Sequence, residues 1–534
     1  MLAYRTAKFA CRNCTAVALG AVVVIATIGG LVGTLIQART ARAQRDFAFR
    51  QLARAEATND FNQFLLSDAA PAGKPFTVND LLERAERILN RQHARNDANR
   101  VELLTSIGMQ YSIQEQDAHA RRVLEDAYQL SRGLIEPSVQ AYAACSLASA
   151  LVRDGELTRA EAWVQEGLRE LPDTPQFALT RLECLRRGGE VAEERGDLRG
   201  GILRLEAAQR ELKKAPFQSD WAEMLTAMDL ADAYRSAGQH YKAIELFNRA
   251  NAPISSLGRE ETQSAAVLLN NWALSLERLG QPLEAERLYR REINIYRAGQ
   301  TEETVPPMAL INYAKTLRLL GRLKEAADYA GRAYTKAPQA GDQFAIYQSL
   351  SARSLIYLDQ GDFTRASAVL EELEPMLRRK FSPDNGWFGA LALSQARLAL
   401  GKGQAEQALK LADQGVANFE AALKTSRQGG DFLPIALLRR ANIELGAGRA
   451  APAAADASRA VTLQQAGAPP GGLSLYLGEA YWILSRALQA QGKMAEAQLA
   501  LRSSLAHLEA TVGPNHPETI AARRSAESYA HNSH

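Results

Sequence analysis

Apolar and small positions recur along this chain in a unit that repeats about every forty-two residues. The anchors of the unit are Glu115, Gly155, Gly196, Gly238, Gly280, Gly321, Gly361, Gly403, Gly448 and Gly492. Before each, by seven residues, stands Gly108, Ala148, Gly189, Ala231, Ala273, Ala314, Ser354, Ala396, Ala441 or Ser485. After each, by five, stands Ala120, Ala160, Gly201, Ala243, Ala285, Ala326, Ala366, Ala408, Ala453 or Ala497. Twenty small residues in twenty slots exceed what a chain of 46% hydrophobic residues gives by chance. The pattern predicts about ten pairs of antiparallel helices. The anchor glycine takes the left-handed conformation that ends the first helix of each pair. Small side chains at the other two positions let the paired helices approach closely. Nine residues after each anchor, mostly large apolar residues such as Leu124, Val164, Leu205, Phe247 and Tyr289 fill the space between neighbouring pairs.

The N-terminal pattern is different. Thr15 to Ile36 carries no charged residue and is rich in Val, Ile, Leu, Ala and Gly. At ~1.5 Å per residue such a helix spans a hydrocarbon core of about 30 Å. Arg5, Lys8 and Arg12 precede it and Arg39, Arg42 and Arg45 follow. The rival reading is a cleaved signal peptide with Ala41-Arg42-Ala43 as its processing site, but the apolar run exceeds the usual signal core. From Gln37 to Leu66 a charged amphipathic helix is expected, with Phe47, Leu52, Phe61, Phe64 and Leu65 as its apolar members. Ser67 to Pro75 breaks it, and Thr77 is placed to cap a further helix running to about Asn90, with Asp80 at its positive end.

Composition narrows the function. Lys plus Arg is 63 against Asp plus Glu 60, so the net charge of +3 offers no phosphate-binding footprint and no nucleic-acid partner is expected. Cys11-x-x-Cys14 has neither a second Cys pair nor a nearby His pair to complete a metal site. Nucleotide-binding, hydrolase and metalloprotease motifs are all missing. The expectation is a protein that is not an enzyme, uses no cofactor, and works through a binding surface.

The register resembles the tetratricopeptide repeat. Trp272, Ala273, Leu276, Gly280, Ala285 and Tyr289 stand at that family's signature positions, as do Tyr313, Ala314, Leu317, Gly321, Ala326 and Ala333. The long period, and Val512 to Thr519 as an inter-repeat loop, are similar to the kinesin-light-chain variety. The resemblance implies an all-α, right-handed α-solenoid of helix-turn-helix repeats preceded by one transmembrane helix, with a concave face made by the first helix of each pair. Such a face binds protein or peptide ligands. Asn270, Asn271, Asn312 and Lys315 are the candidate partner-binding residues, read as polar groups near the ends of two adjacent helices whose amides can hold a peptide backbone. Arg318, Arg322 and Lys324 form a locally basic stretch; a solvated face accounts for it equally well.

Tyr4 to Asn13, the apolar span and Gln37 to Leu89 resemble the juxtamembrane region of bacterial transmembrane serine/threonine protein kinases. In that family a kinase domain precedes the span and repeats follow it. No kinase catalytic motif is present here, so the resemblance implies a sensor or scaffold half working with a separately encoded kinase partner. The expected organisation is a cytoplasmic basic tail over 1–14, the transmembrane helix over 15–36 and a juxtamembrane helix over 37–66. A linker and capping helix over 67–99 and the repeat array over 100–534 complete it. The resemblance places the chain in a bacterial inner membrane with its array in the periplasm. The five arginines that follow the span, against three basic residues before it, point the array toward the cytoplasm instead.

Overall fold

The computed structural model describes residues 13–64, 77–91, 98–216, 218–297, 302–383, 385–425, 432–466, 468–469 and 471–531. Most of the basic tail, including Arg5, Lys8, Cys11 and Arg12, and all of the Ser67 to Pro75 break lie outside the described residues. Among the described residues the regular elements are helices. The chain divides into two compact units, Met1–Leu171 and Pro172–His534.

The first unit opens with one continuous helix, α1 (Cys14–Phe64). Its Cys14–Arg42 stretch contains an 18-residue window of mean hydropathy 2.4, none of which is buried. Thr27, Thr34 and Thr40 turn their hydroxyls back onto the carbonyls of Val23, Gly30 and Ile36, which satisfies these polar groups without water. The segment is long and apolar enough to cross a membrane, and a signal sequence meets the same criteria. Helix α2 (Val78–Arg91) begins at the expected cap. The Asp80 N–H donates to Thr77 Oγ1 at 3.1 Å, while Thr77 N–H donates back to Asp80 Oδ2 at 2.7 Å. Two pairs follow, α3 (Ala98–Ile113) with α4 (Asp117–Ser131), and α5 (Pro137–Arg153) with α6 (Leu157–Glu170). Arg122 grips Glu86 through both terminal nitrogens, at 2.7 and 2.9 Å, and fastens α4 to α2.

The second unit holds eight pairs and a final helix. They are α7 (Ala178–Glu194) with α8 (Leu198–Lys214), α9 (Asp220–Ser236) with α10 (His240–Ser256), α11 (Gln263–Arg278) with α12 (Pro282–Arg297), and α13 (Pro307–Leu319) with α14 (Leu323–Lys336). Next come α15 (Gln343–Asp359) with α16 (Phe363–Lys380), α17 (Gly386–Gly401) with α18 (Ala405–Thr425), α19 (Leu433–Gly446) with α20 (Ala450–Ala466), and α21 (Leu475–Ala490) with α22 (Met494–Thr511). Helix α23 (Pro517–His531) ends the array.

The turn residues behave as the spacing predicts. The nine anchor glycines have φ between 72° and 77°, and Glu115 takes the same left-handed region at 58° without being glycine. All twenty small positions are buried, and so are the ten positions nine residues past the anchors. Leu124 shows why smallness is needed: a Cβ on Gly108 would stand 2.6 Å from its Cγ.

Candidate functional site

In the second unit each first helix touches the first helix of the next pair, from α7 through α21 in sequence. These helices form the inner, tighter layer of the stack, and the second helices the outer one. The inner layer buries apolar residues toward its partners and leaves a row of polar side chains facing inward.

That row is a ladder of contacts running from pair to pair. Arg186 of α7 binds Asp229 of α9 at 2.6 Å. On α9, Asp232 takes the guanidinium of Arg235 at 2.6 Å and the amide of Asn271 at 3.1 Å. Asn270 donates to Asn271 at 2.9 Å, and Asn312 of α13 donates to Asn270 at 3.0 Å. Lys315 reaches Gln348 of α15 at 2.5 Å. Arg318 and Arg397 both bind Asp359, at 2.8 and 2.7 Å, which links α13, α15 and α17.

The structure thus brings Asn270, Asn271 and Asn312 together in one chain of hydrogen bonds, with Lys315 one helical turn beyond. They lie mid-helix on α11 and α13, not near the helix ends as the sequence suggested. Asn312 is only 4% exposed, so its amide serves the ladder. Arg318, Arg322 and Lys324 do not form one patch. Arg318 faces inward to Asp359, whereas Arg322 turns out to Glu286 at 3.0 Å and Glu325 at 2.6 Å. Lys324 is exposed.

Beyond the ladder the inner layer curls on itself. The carbonyl of Gly280, in the turn of the α11/α12 pair, accepts from the N–H of Leu475 at the start of α21 at 2.8 Å. Arg278 stacks on the ring of Phe432, 3.9 Å from its centre. Leu319 and Leu320 pack against the cluster of Leu475, Leu488 and Val512. Residues of α11, α13, α15, α17, α19, α21 and α23 therefore face one interior. Lys315, Arg318, Asp359, Arg397, Arg439, Tyr476, Glu479 and Glu518 meet there within electrostatic reach.

Burial dominates the titration of this cluster. It pushes Lys315 down to about 8, with Arg278 and Arg318 adding repulsion and Glu277 opposing. Arg439 is pushed down to about 10 by burial and by Arg318 and Arg397. The carboxyls of Glu479 and Glu518 move upward together, through burial and negative neighbours. Asp359 goes the other way, held below the usual carboxylate range because its two arginines outweigh its burial.

Residues 483–518 match the family described as tetratricopeptide repeat. The fold is a tetratricopeptide-type α-solenoid. The chain resembles a Rap protein complexed with Competence and Sporulation Factor, with a TM-score of 0.51 at 13% identity over 70% of this chain and 99% of that one. It also resembles the apo form of the quorum sensor NprR from B. thuringiensis, with a TM-score of 0.51 at 12% identity over 68% and 98% of the two chains. A putative kinesin light chain repeat protein from Podosopora anserina gives 0.33 at 19% identity, over 38% of this chain and 98% of that one. At these identities the likeness is one of fold. No curated protein matches the sequence significantly.

Sequence reasoning did not single out Asp359, Arg397, Arg439, Tyr476, Glu479 or Glu518. Their register hides them. Arg318 lies three residues before Gly321 and Asp359 two before Gly361, but Arg397 lies six before Gly403, Arg439 nine before Gly448 and Glu479 thirteen before Gly492. As the stack winds, the point facing the common interior slides along successive first helices. A search at one fixed offset from the turn cannot find it.

Proposed function

We propose that the protein is a membrane-anchored scaffold or sensor that binds a protein or peptide segment inside the second unit. The observation that carries this reading is the polar, inward-facing ladder on the first helices. An ordinary packed core would present apolar side chains there. Asn270, Asn271 and Lys315 offer amide and ammonium groups to a bound backbone, and Asn312 sets the amide of Asn270 by donating to its oxygen. The Rap protein of similar fold holds Competence and Sporulation Factor, and NprR is a quorum sensor, which supports ligand capture as the use of this fold.

The test is affinity selection of a random peptide pool on the detergent-solubilised full chain, read by mass spectrometry, with Asn271→Asp and Lys315→Glu alongside. Selective retention that drops in both variants is the expected result. Equal retention by all three proteins removes these residues from the site.

The anchor is the Cys14–Arg42 segment of α1, whose exposed apolar surface supports a span. On this reading the array lies in the periplasm, with the cytoplasm as the alternative; alkaline phosphatase fused to the C-terminus distinguishes the two, and an inactive fusion overturns the periplasmic reading. The second reading makes the chain the sensor half of a serine/threonine kinase system, on the strength of the Gln37–Leu89 sequence. Co-purification of a separately encoded kinase with the full chain is its test.

A further inference from the structure

A solenoid pair ordinarily touches only the pairs beside it, so a contact between remote pairs is a separate element of the fold. In the second unit the C-terminal end of the array meets the turns of the α11/α12 and α13/α14 pairs. The N–H of Leu475 donates to the carbonyl of Gly280 at 2.8 Å. A Cβ on Gly321 would stand 3.0 Å from Pro517 Cδ and 3.3 Å from His516 Cδ2. Both turns are therefore packed closely against that end.

One hydroxyl in this contact does not serve its own helix. Ser474 is the N-cap residue of α21, with extended backbone at φ −147° and ψ 133°, yet its side chain makes no capping bond. Ser219 and Thr262, also in extended backbone, cap α9 and α11 by accepting from the N–H of Ala222 and Ala265 at 3.2 and 3.4 Å. Ser474 Oγ lies against Gly280 instead, 2.4 Å from where a Cβ would stand. It is buried and has no hydrogen-bond partner among the described residues. The contact thus carries two costs, an enclosed hydroxyl without a partner and a helix without its cap. Inside the C-terminal end the polar groups are matched. Ser485 Oγ donates to the carbonyl of Ala497 and Ser504 Oγ to that of Gly478, each at 2.8 Å, which ties α21 to α22 independently of the turns.

We infer that the contact of Ser474 and Leu475 with Gly280 is a latch, which parts to open the inner layer while every helix pair stays folded. Parting asks only for a small rotation at each interface between α11 and α21, and it breaks no packing within a pair. The Leu475 bond to Gly280 is lost on opening. In return Ser474 is freed to cap α21 as Ser219 caps α9, and its hydroxyl is no longer enclosed without a partner. These terms offset one another, so the closed and open forms lie close in energy, as a two-state element requires. The latch controls access to the inner layer whatever ligand enters there, so its test needs no ligand.

The experiment is hydrogen exchange of the detergent-solubilised full chain, fragmented to single-residue resolution and corrected for intrinsic rates. The Leu475 amide reports the latch, and amides in the middles of α21 and α22 report unfolding of the pair itself. In the parent the Leu475 amide should exchange faster than the mid-helix amides, because it opens without them. Ser474→Ala removes the enclosed hydroxyl and the cap that favours the open form, so it should slow Leu475 by about threefold or more. Gly280→Ala wedges the contact and should speed Leu475 by about tenfold or more, with the mid-helix amides unchanged. Gly403→Ala, which has the same left-handed backbone but an open surrounding, should leave Leu475 as in the parent. A Leu475 amide that exchanges only together with the mid-helix amides overturns the latch, since the contact then breaks only by unfolding. Faster exchange in Ser474→Ala overturns it as well, because the hydroxyl would then hold the contact closed, and so does an unchanged rate in Gly280→Ala.

Discussion

The carbonyl of Gly280 accepts a hydrogen bond from the N–H of Leu475 at 2.8 Å, joining two turns that lie five helix pairs apart. Gly280 is needed there twice over. Its φ of 72° lies in the left-handed region, and a Cβ would stand 2.4 Å from Ser474 Oγ and 2.8 Å from Leu475 N. Gly403 has the same backbone, at φ 77°, but a Cβ there would meet nothing within 4 Å. Gly403→Ala should therefore cost the conformational penalty alone, roughly 1–2 kcal/mol. Gly280→Ala should cost a further ~1–3 kcal/mol for overpacking. Denaturant unfolding of the two variants measures the difference, and equal losses would show that the contact between these turns contributes nothing.

Asp359 holds two guanidiniums in place, so its removal leaves both without a committed partner. Asp359→Ala is expected to destabilise the second unit by roughly 2–4 kcal/mol, since breaking a buried pair strands its charge. Glu284→Ala removes an exposed partner of Arg287 and should change stability by less than ~1 kcal/mol. Chemical denaturation of both variants checks the contrast.

Glu292, on α12, is 3% exposed, and its Oε2 has no hydrogen-bond partner among the described residues. Burial pushes its pKa up to about 8 from an ordinary 4.5. The folded state thus holds a proton that the unfolded chain releases. Its contribution is fully present below pH 4.5 and is lost as the pH rises through about 8. Glu292→Gln should remove this dependence. Melting curves from pH 5 to 9 should show the variant gaining on the parent as pH rises, by on the order of a few kcal/mol. A constant gap across that range would contradict it.

Glu115 is the one anchor that is not glycine, and it adopts φ 58° all the same. Glu115→Gly should stabilise the first unit by roughly 1 kcal/mol, because the left-handed region strains an L side chain. Hydrogen exchange of the amides of α3 and α4 should slow in the variant. Faster exchange would mean that the glutamate side chain contributes more than its backbone costs.

Much of this architecture was legible in the sequence because it depends on local geometry. A turn that needs positive φ calls for glycine, and closely approaching helices call for Ala, Gly or Ser at fixed distances from it. Those demands repeat in every pair, so Gly321, Ala314 and Ala326 announce themselves as Gly361, Ser354 and Ala366 do. The candidate site was legible only in part. Asn270, Asn271, Asn312 and Lys315 could be placed on an inner face, but their bonds to one another and to Gln348 depend on side chains from neighbouring helices.

By itself, then, the sequence determined the helix pairs, their turns, the small positions that let them pack, and an apolar segment long enough for a membrane. These follow from backbone conformation, side-chain volume and hydropathy read over short distances. Only the tertiary structure decided which polar residues share an interior. The curl that joins Gly280 to Leu475 sums small rotations over five pairs, and each shifts the inward-facing register along the next helix. Arg318, Asp359, Arg397, Arg439 and Glu479 meet through that accumulated rotation, which no single repeat encodes.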